Sequence, residues 1–336
     1  MPIRRAATLK DVAEQAGVSK VAVSVVLNGS RSNVGVSAAT RQRILDSAER
    51  LQYRPNAIAR SLRRQSTNVI GLYSGTQYAP ARGGVFLSHI IAGLQDGCDA
   101  HSRDLLVHGA FRGQSVDDIY QELAGGKVDG LVLHAPGNDA LVNLLSDASL
   151  PCVVIASPVE NLPSVVVDDQ AGMQLLAEHL YRAGHRWVAF RQSFLRHTSS
   201  LRREAAFGEA AARLGMRVET ISPGPVEHEI GSAEAVLLAS PRSERPSAMV
   251  CWNDTSAYSL ISHCVERHIE VPADLALTGF DGFWLPGIPR WQLTTVCAPW
   301  RLVAKTAVDL LVARINGETI PKETTLPVTL RIGETA

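Results

Sequence analysis

Residues 8–29 read TLKDVAEQAGVSKVAVSVVLNG, and the fold of the chain's beginning follows from them. Thr8 followed by Asp11 is a capping-box pattern, with Asp in the place of Glu or Gln. Leu9, Val12, Ala13 and Ala16 then share one helical face. Gly17 supplies a turn, Ser19 caps a second helix, and Asn28-Gly29-Ser30 ends it. In that second helix Val23, Val26 and Leu27 turn inward, while Lys20, Val21 and Val25 project outward. Two short helices joined by a tight turn, with small Ala13 where they cross, form a helix-turn-helix pattern.

Outward from this stretch, a polar loop runs over 31–36. Ser37 then caps a third helix, in which Ile44, Ala48 and Leu51 recur at near-helical spacing. Tyr53-Arg54-Pro55-Asn56 stops it. Asn56–Arg64 forms one or two more turns, and Gln65-Ser66-Thr67-Asn68 reads as a linker. The whole chain of 336 residues has no net charge, but the charge is unevenly placed. Residues 1–65 hold twelve basic residues against four acidic ones, a formal +8, and the remainder carries −8. A basic head on an acidic body points to a polyanionic partner for the head, against the bland alternative of a solvated basic surface.

From Val69 the pattern changes. Apolar runs at 69–73, 105–108, 130–134, 152–156, 164–168, 187–190, 248–252 and 275–280 alternate with amphipathic segments such as 86–102, 171–183, 202–215, 254–268 and 300–316. Strand alternating with helix means parallel sheets covered on both faces, and the length suffices for two such sheets. The five cysteines are scattered, with no CxxC spacing, which suits a reducing cytoplasm. No apolar core follows Arg4-Arg5 as in a secretion signal, and no run of eighteen apolar residues suggests a membrane span. No HExxH, P-loop, GxSxG or GxGxxG motif is present, so the pattern argues against an enzyme and offers no catalytic residue, cofactor or metal site.

The head, TLKDVAEQAGVSKVAVSVVLNG together with VSAATRQRILDSAERLQYRPNAIARSL (36–62), resembles the opening of the lactose-repressor (LacI/GalR) family almost residue for residue. The rest of the chain resembles that family more loosely. The resemblance implies an all-α helix-turn-helix head over 1–54, and a hinge helix and linker over 55–67. It implies an α/β core over 68–336 like the type I periplasmic binding proteins. That core has two doubly wound subdomains, one at about 68–166 and 297–324, the other at about 167–296 and 325–332. The implied function is a cytoplasmic transcription regulator, read as a repressor. It binds a near-palindromic double-stranded operator as a homodimer, and a small molecule in the inter-subdomain cleft controls its operator affinity. A sugar or sugar derivative is the expected effector. The alternatives are a non-sugar ligand such as a purine, or a solute-binding protein if the head binds no DNA. The family's tetramerising tail is not seen before Ala336, so a dimer is expected rather than a tetramer.

The resemblance assigns DNA contacts to Thr8, Ser19, Lys20, Val21, Ser24, Val25, Asn28 and Tyr53, and to Asn56, Ala59, Leu62 and Arg63 of the hinge. Val25 stands where the family commonly has Arg. Arg there could hydrogen-bond guanine, whereas Val offers only methyl groups, for instance to thymine. The loop RSNVGVS is also longer than in the lactose repressor. Leu62 occupies the place of the family's inserted leucine, which wedges between base steps and kinks the duplex. In the core the resemblance points to five effector-binding residues. Asp168 lies at a subdomain crossing, Arg203 heads RxxAF, Asn253 follows strand 248–252, Asp281 follows LALTGF, and Trp300 follows LTTVCAP. Each has a plainer alternative: Asp281 or Asn253 as a helix cap, Arg203 in a surface ion pair. Core packing is at least as good a reading for Trp252 and Trp284, and Trp187 reads as structural.

Overall fold

The computed structural model describes residues 7–28, 35–54, 61, 66–75, 84–108, 111, 115–135, 139–194, 198–224, 229–284 and 292–336. Two compact units result, Met1–Asn68 and Val69–Ala336.

The first unit holds α1 (Leu9–Ala16), α2 (Lys20–Asn28) and α3 (Ala38–Arg50). Its caps are local and complete. The Thr8 hydroxyl accepts the Asp11 N–H, and the Asp11 carboxylate accepts the Thr8 N–H at 2.7 Å. Ser19 Oγ accepts the Ala22 N–H at 3.2 Å, and Ser37 Oγ accepts the Thr40 N–H at 3.2 Å. Gly17 takes the left-handed conformation (φ +64°) that ends α1 and turns the chain into α2. The three helices enclose Val12, Ala13, Ala16, Ala22, Val23, Ile44 and Ala48, with Val26, Leu27, Leu51 and Tyr53 packed at the margin.

The second unit contains two six-stranded sheets. The first takes β1 (Val69–Ser74), β2 (Asp104–Val107), β3 (Gly130–His134), β4 (Cys152–Ile155), β5 (Ser164–Val167) and β11 (Glu323–Leu326) in the order β11-β5-β4-β3-β1-β2. The second takes β6 (Trp187–Arg191), β7 (Arg217–Ile221), β8 (Ala248–Cys251), β9 (Ala276–Asp281), β10 (Thr294–Cys297) and β12 (Thr329–Arg331) in the order β12-β10-β9-β8-β6-β7. All the pairings are parallel except that of β12 with β10. The chain passes between sheets after Val167, after Cys297 and after Leu326.

The helices of this unit are α4 (Val85–Ala100), α5 (Val116–Ala124), α6 (Ala140–Ser146), α7 (Asp169–Arg182), α8 (Thr198–Arg213), α9 (Ser232–Ala239), α10 (Asp254–Glu266) and α11 (Trp300–Ile315). Successive strand side chains point to opposite faces, and here both faces are covered. In β3, Val132 joins the core of α4 and α11, while Leu131 and Leu133 join that of α5 and α6. In β8, Ala248 and Val250 belong to the core shared with α7 and α8, while Met249 and Cys251 face α10. This explains why the strands read as unbroken apolar runs. Gly93 lets α4 lie directly on α11, since a Cβ there would meet the Arg301 carbonyl oxygen. A fully buried ion pair, Arg191 Nε to Glu234 Oε1 at 2.6 Å, ties α9 to the end of β6.

Several elements depart from the expectation. The strands β7, β11 and β12 and the helices α5, α6 and α9 carry too short or too exposed an apolar pattern to stand out. Trp284 is 73% exposed, which corrects the core-packing reading for it. Trp187 is structural: its Nε1 donates to Glu219, and Arg217 lies over its ring.

Candidate functional site

Side chains of α7, β9 and α11 and the residue after β8 meet around Arg203. This residue of α8 is 2% exposed, so the surface ion-pair reading is wrong. Its Nε donates to Asp169 Oδ1 at 2.9 Å, and its Nη1 donates to the Trp252 carbonyl at 2.9 Å. Asp281 Oδ1 lies 3.7 Å from Nη1. The guanidinium sits 3.6 Å from the Phe280 ring centre and about 6 Å from those of Trp252 and Trp300. Asp281 is not a helix cap. It ends β9 with φ +136°, and its Oδ1 accepts the Trp300 indole N–H at 3.1 Å.

An aromatic wall continues from Trp300 into α4. The Phe86 ring stands edge-on to Trp300 at 4.9 Å and equally close to His134. His89 stacks on Phe283 at 4.9 Å. The residues Phe86, His89, His134 and Phe283 had no motif to mark them, because only the tertiary fold joins α4, the end of β3 and the turn after β9.

Two carboxylates thus share one buried guanidinium. Burial raises Asp281 well above the ordinary carboxylate range; the neighbouring Arg203 opposes this, and Asp254 adds to it. Asp169 is also raised by burial, against the pull of Arg203. Such a cluster can satisfy the donors and acceptors of a polar ring, beside a flat apolar face.

Of the five expected effector residues, Arg203, Asp281 and Trp300 come together. Asn253 takes its plainer role, capping α10 by accepting the Ser256 N–H at 2.7 Å. Asp168 is spent as the cap of α7, accepting the Ala171 N–H at 2.8 Å. Its neighbour Asp169 is the residue that reaches Arg203, since the first helical position turns it toward α8.

In the head, Lys20 and Val21 are exposed, and Val25 is half-buried but outside the packed core. Ser24 and Tyr53 are half-buried, and Tyr53 packs on the core. The hydroxyls of Thr8 and Ser19 are engaged in capping. The Asn28 side-chain amide is buried and makes no hydrogen bond among the described residues. Asn56, Ala59, Leu62 and Arg63 lie outside the described residues. Among the described residues no helix is long and apolar enough to cross a membrane, and no group of metal-ligating side chains assembles.

Residues 8–56 match the pattern of bacterial regulatory proteins of the lacI family, and residues 177–336 match a periplasmic binding protein-like domain. The HTH-type transcriptional repressor PurR of Aliivibrio fischeri (strain MJ11) is 32% identical over 92% of this chain and 92% of its own. The chain belongs to the LacI family. It is accordingly a DNA-binding transcription regulator. This LacI-family chain is also 29% identical to catabolite control protein A of Priestia megaterium, over 93% of the chain and 94% of that protein. It superposes on the lac repressor dimer bound to operator and the anti-inducer ONPF with a TM-score of 0.81 and 25% identity, covering 98% of this chain and 99% of that one.

Proposed function

We propose that this chain is a homodimeric, cytoplasmic repressor whose operator affinity is set by a small molecule held around Arg203, Asp281 and Trp300. Residues 1–54 read the major groove of a near-palindromic operator through Lys20, Val21 and Val25. Residues 55–67 form the hinge, with Leu62 wedged into the minor groove. Residues 68–336 form the effector core. The carrying observation is the buried Arg203–Asp281–Trp300 contact, built where the two sheets exchange chain. Ligands of open α/β sheets bind at the carboxyl ends of strands, and Asp281 ends β9.

A sugar or sugar derivative is the effector we favour. Carboxylate and guanidinium answer neighbouring hydroxyls, and an indole covers the C–H face of the ring. A purine is the second reading, supported by the additional flat walls of Phe86 and Phe283 and by the PurR relatives.

The test starts from an operator selected from random duplexes with the full chain. A panel of glucose, galactose, ribose, adenine, hypoxanthine and guanine is titrated into the protein–operator complex and read by fluorescence anisotropy. One compound should shift operator affinity at least fivefold in the parent and not in Asp281→Asn or Arg203→Lys. A full response in both variants would mean the pocket is elsewhere.

A further inference from the structure

The turn that follows β9 is gripped from two sides. Asp254, the first residue of α10, is fully buried. Its Oδ2 accepts the Phe283 N–H at 2.6 Å, and its Oδ1 accepts the Thr295 hydroxyl. Gly279 of β9 makes room for it, because a Cβ there would collide with Asp254 Oδ1. From the other side Arg331, the last residue of β12, donates Nη1 to the Gly282 carbonyl and Nη2 to the Phe283 carbonyl, each at 3.3 Å. Strand pairing sets Arg331 opposite Thr295, so both grips are referenced to β10.

The turn needs such a grip. Asp281 holds φ +136°, and Gly282 holds φ +80° with a would-be Cβ only 2.7 Å from Cys297 Cα. A non-glycine residue in such a conformation is strained and persists only where its surroundings over-determine it. Two things hang on this turn. The first is the Asp281 carboxylate, facing Trp300 and Arg203. The second is the buried Phe283 ring, stacked on His89 of α4, which packs on the other sheet's side of the molecule.

We propose that Arg331 is a positioning residue of the effector site: its guanidinium fork fixes the Gly282 and Phe283 carbonyls, and through them sets Asp281 toward the cluster and Phe283 against α4. This rests on the reading of that cluster as the effector site. Arg suits the task because its planar fork presents two donors at fixed spacing, whereas Lys presents a single charge on a flexible stem. The short strand β12, entered after the third crossing, thereby acts on the site without touching it.

The test uses the full chain with Arg331→Met, which keeps the aliphatic stem, and Arg331→Lys, which keeps the charge. Hydrogen exchange at the Phe283 amide and the indole N–H resonance of Trp300, assigned from its loss in Trp300→Phe, are the primary readings. The Trp187 indole, bonded to Glu219, is the internal control. Arg331→Met should exchange Phe283 at least tenfold faster and move the Trp300 indole while Trp187 stays in place. Arg331→Lys should lie between. Unchanged Phe283 exchange with an unmoved Trp300 indole overturns the proposal. Should Arg331→Met unfold, Arg331→Lys decides on the same two readings: faster Phe283 exchange with a moved Trp300 indole supports the proposal, and no change in either overturns it. The panel compound that binds the parent should bind Arg331→Met at least tenfold more weakly. If no panel compound binds the parent, the effector reading fails, and exchange and resonance still decide the role of Arg331.

Discussion

Replacing Arg203 with Met removes one cation from a site that keeps two carboxylates. Arg203 and Asp169 are each 2% exposed and Asp281 is 6% exposed, so water cannot take over the role of the guanidinium. Removing one partner of a buried pair costs about 3–5 kcal/mol, because the remaining charge stays buried; Asp169 keeps Arg202 at 3.5 Å, so the loss falls mainly on Asp281. The carboxylates can escape that cost only by taking up protons. With the guanidinium gone, their folded pKa values move further above the unfolded ones. The native state then binds more protons than the unfolded state, so stability is present at low pH and lost as pH rises. Arg203→Met should therefore lose about 3–5 kcal/mol at pH 7.5. The deficit should shrink at pH 5.5, by up to about 1.4 kcal/mol per pH unit for each carboxylate that titrates there. Urea unfolding followed by tryptophan emission reads this directly, since Trp252 and Trp300 lie near Arg203. A deficit below about 1 kcal/mol, or one equal at both pH values, would rule out a guanidinium that neutralises two buried carboxylates.

Other outcomes follow from the same contacts. Burial pushes Asp254 up to about 6, so its contribution is present below pH 4 and lost between about pH 4 and 6. Asp254→Asn should flatten that part of the stability–pH curve, as measured by thermal unfolding at half-unit steps. Thr8→Ala removes the hydroxyl half of a capping box, leaving the backbone N–H of residue 8 on Asp11, and should cost the head about 1 kcal/mol, visible in the urea midpoint of the head transition. Gly93→Ala drives a methyl into the Arg301 carbonyl and should lower the melting temperature of the core, while the packed head keeps its exchange protection. Val25→Arg should move the selected operator toward guanine at one position per half-site, worth about 1–3 kcal/mol, and an unchanged consensus would remove Val25 from readout.

The head was legible because its information is local. Thr8, Gly17, Ser19 and Ser37 act within four residues of themselves, and each takes the role its type suggests. The buried strands were legible because a sheet covered on both faces needs continuous apolar runs. Edge strands lack that constraint: β11 alternates between exposed and half-buried residues and shows no apolar run. In the site, Arg203, Asp281 and Trp300 stood in recognisable motifs. Asp168 and Asp169 are adjacent carboxylates at one helix start, and nothing in their order says which caps and which pairs. Phe86, His89, His134 and Phe283 are separated by up to about two hundred residues, and only the crossings between sheets bring their rings together.

A regulator of this kind requires that the cluster around Arg203 and the operator be thermodynamically linked. Linkage is reciprocal, so a ligand that changes operator affinity by some factor must have its own affinity changed by operator by that same factor. The decisive experiment titrates the active panel compound into the free protein and into the operator complex, and titrates operator into protein with and without that compound. One shared factor should emerge, corresponding to a coupling of about 1–3 kcal/mol, and it should disappear in Asp281→Asn. A compound that binds in an Asp281-dependent way yet leaves operator affinity unchanged would show that the cluster and the operator are not linked.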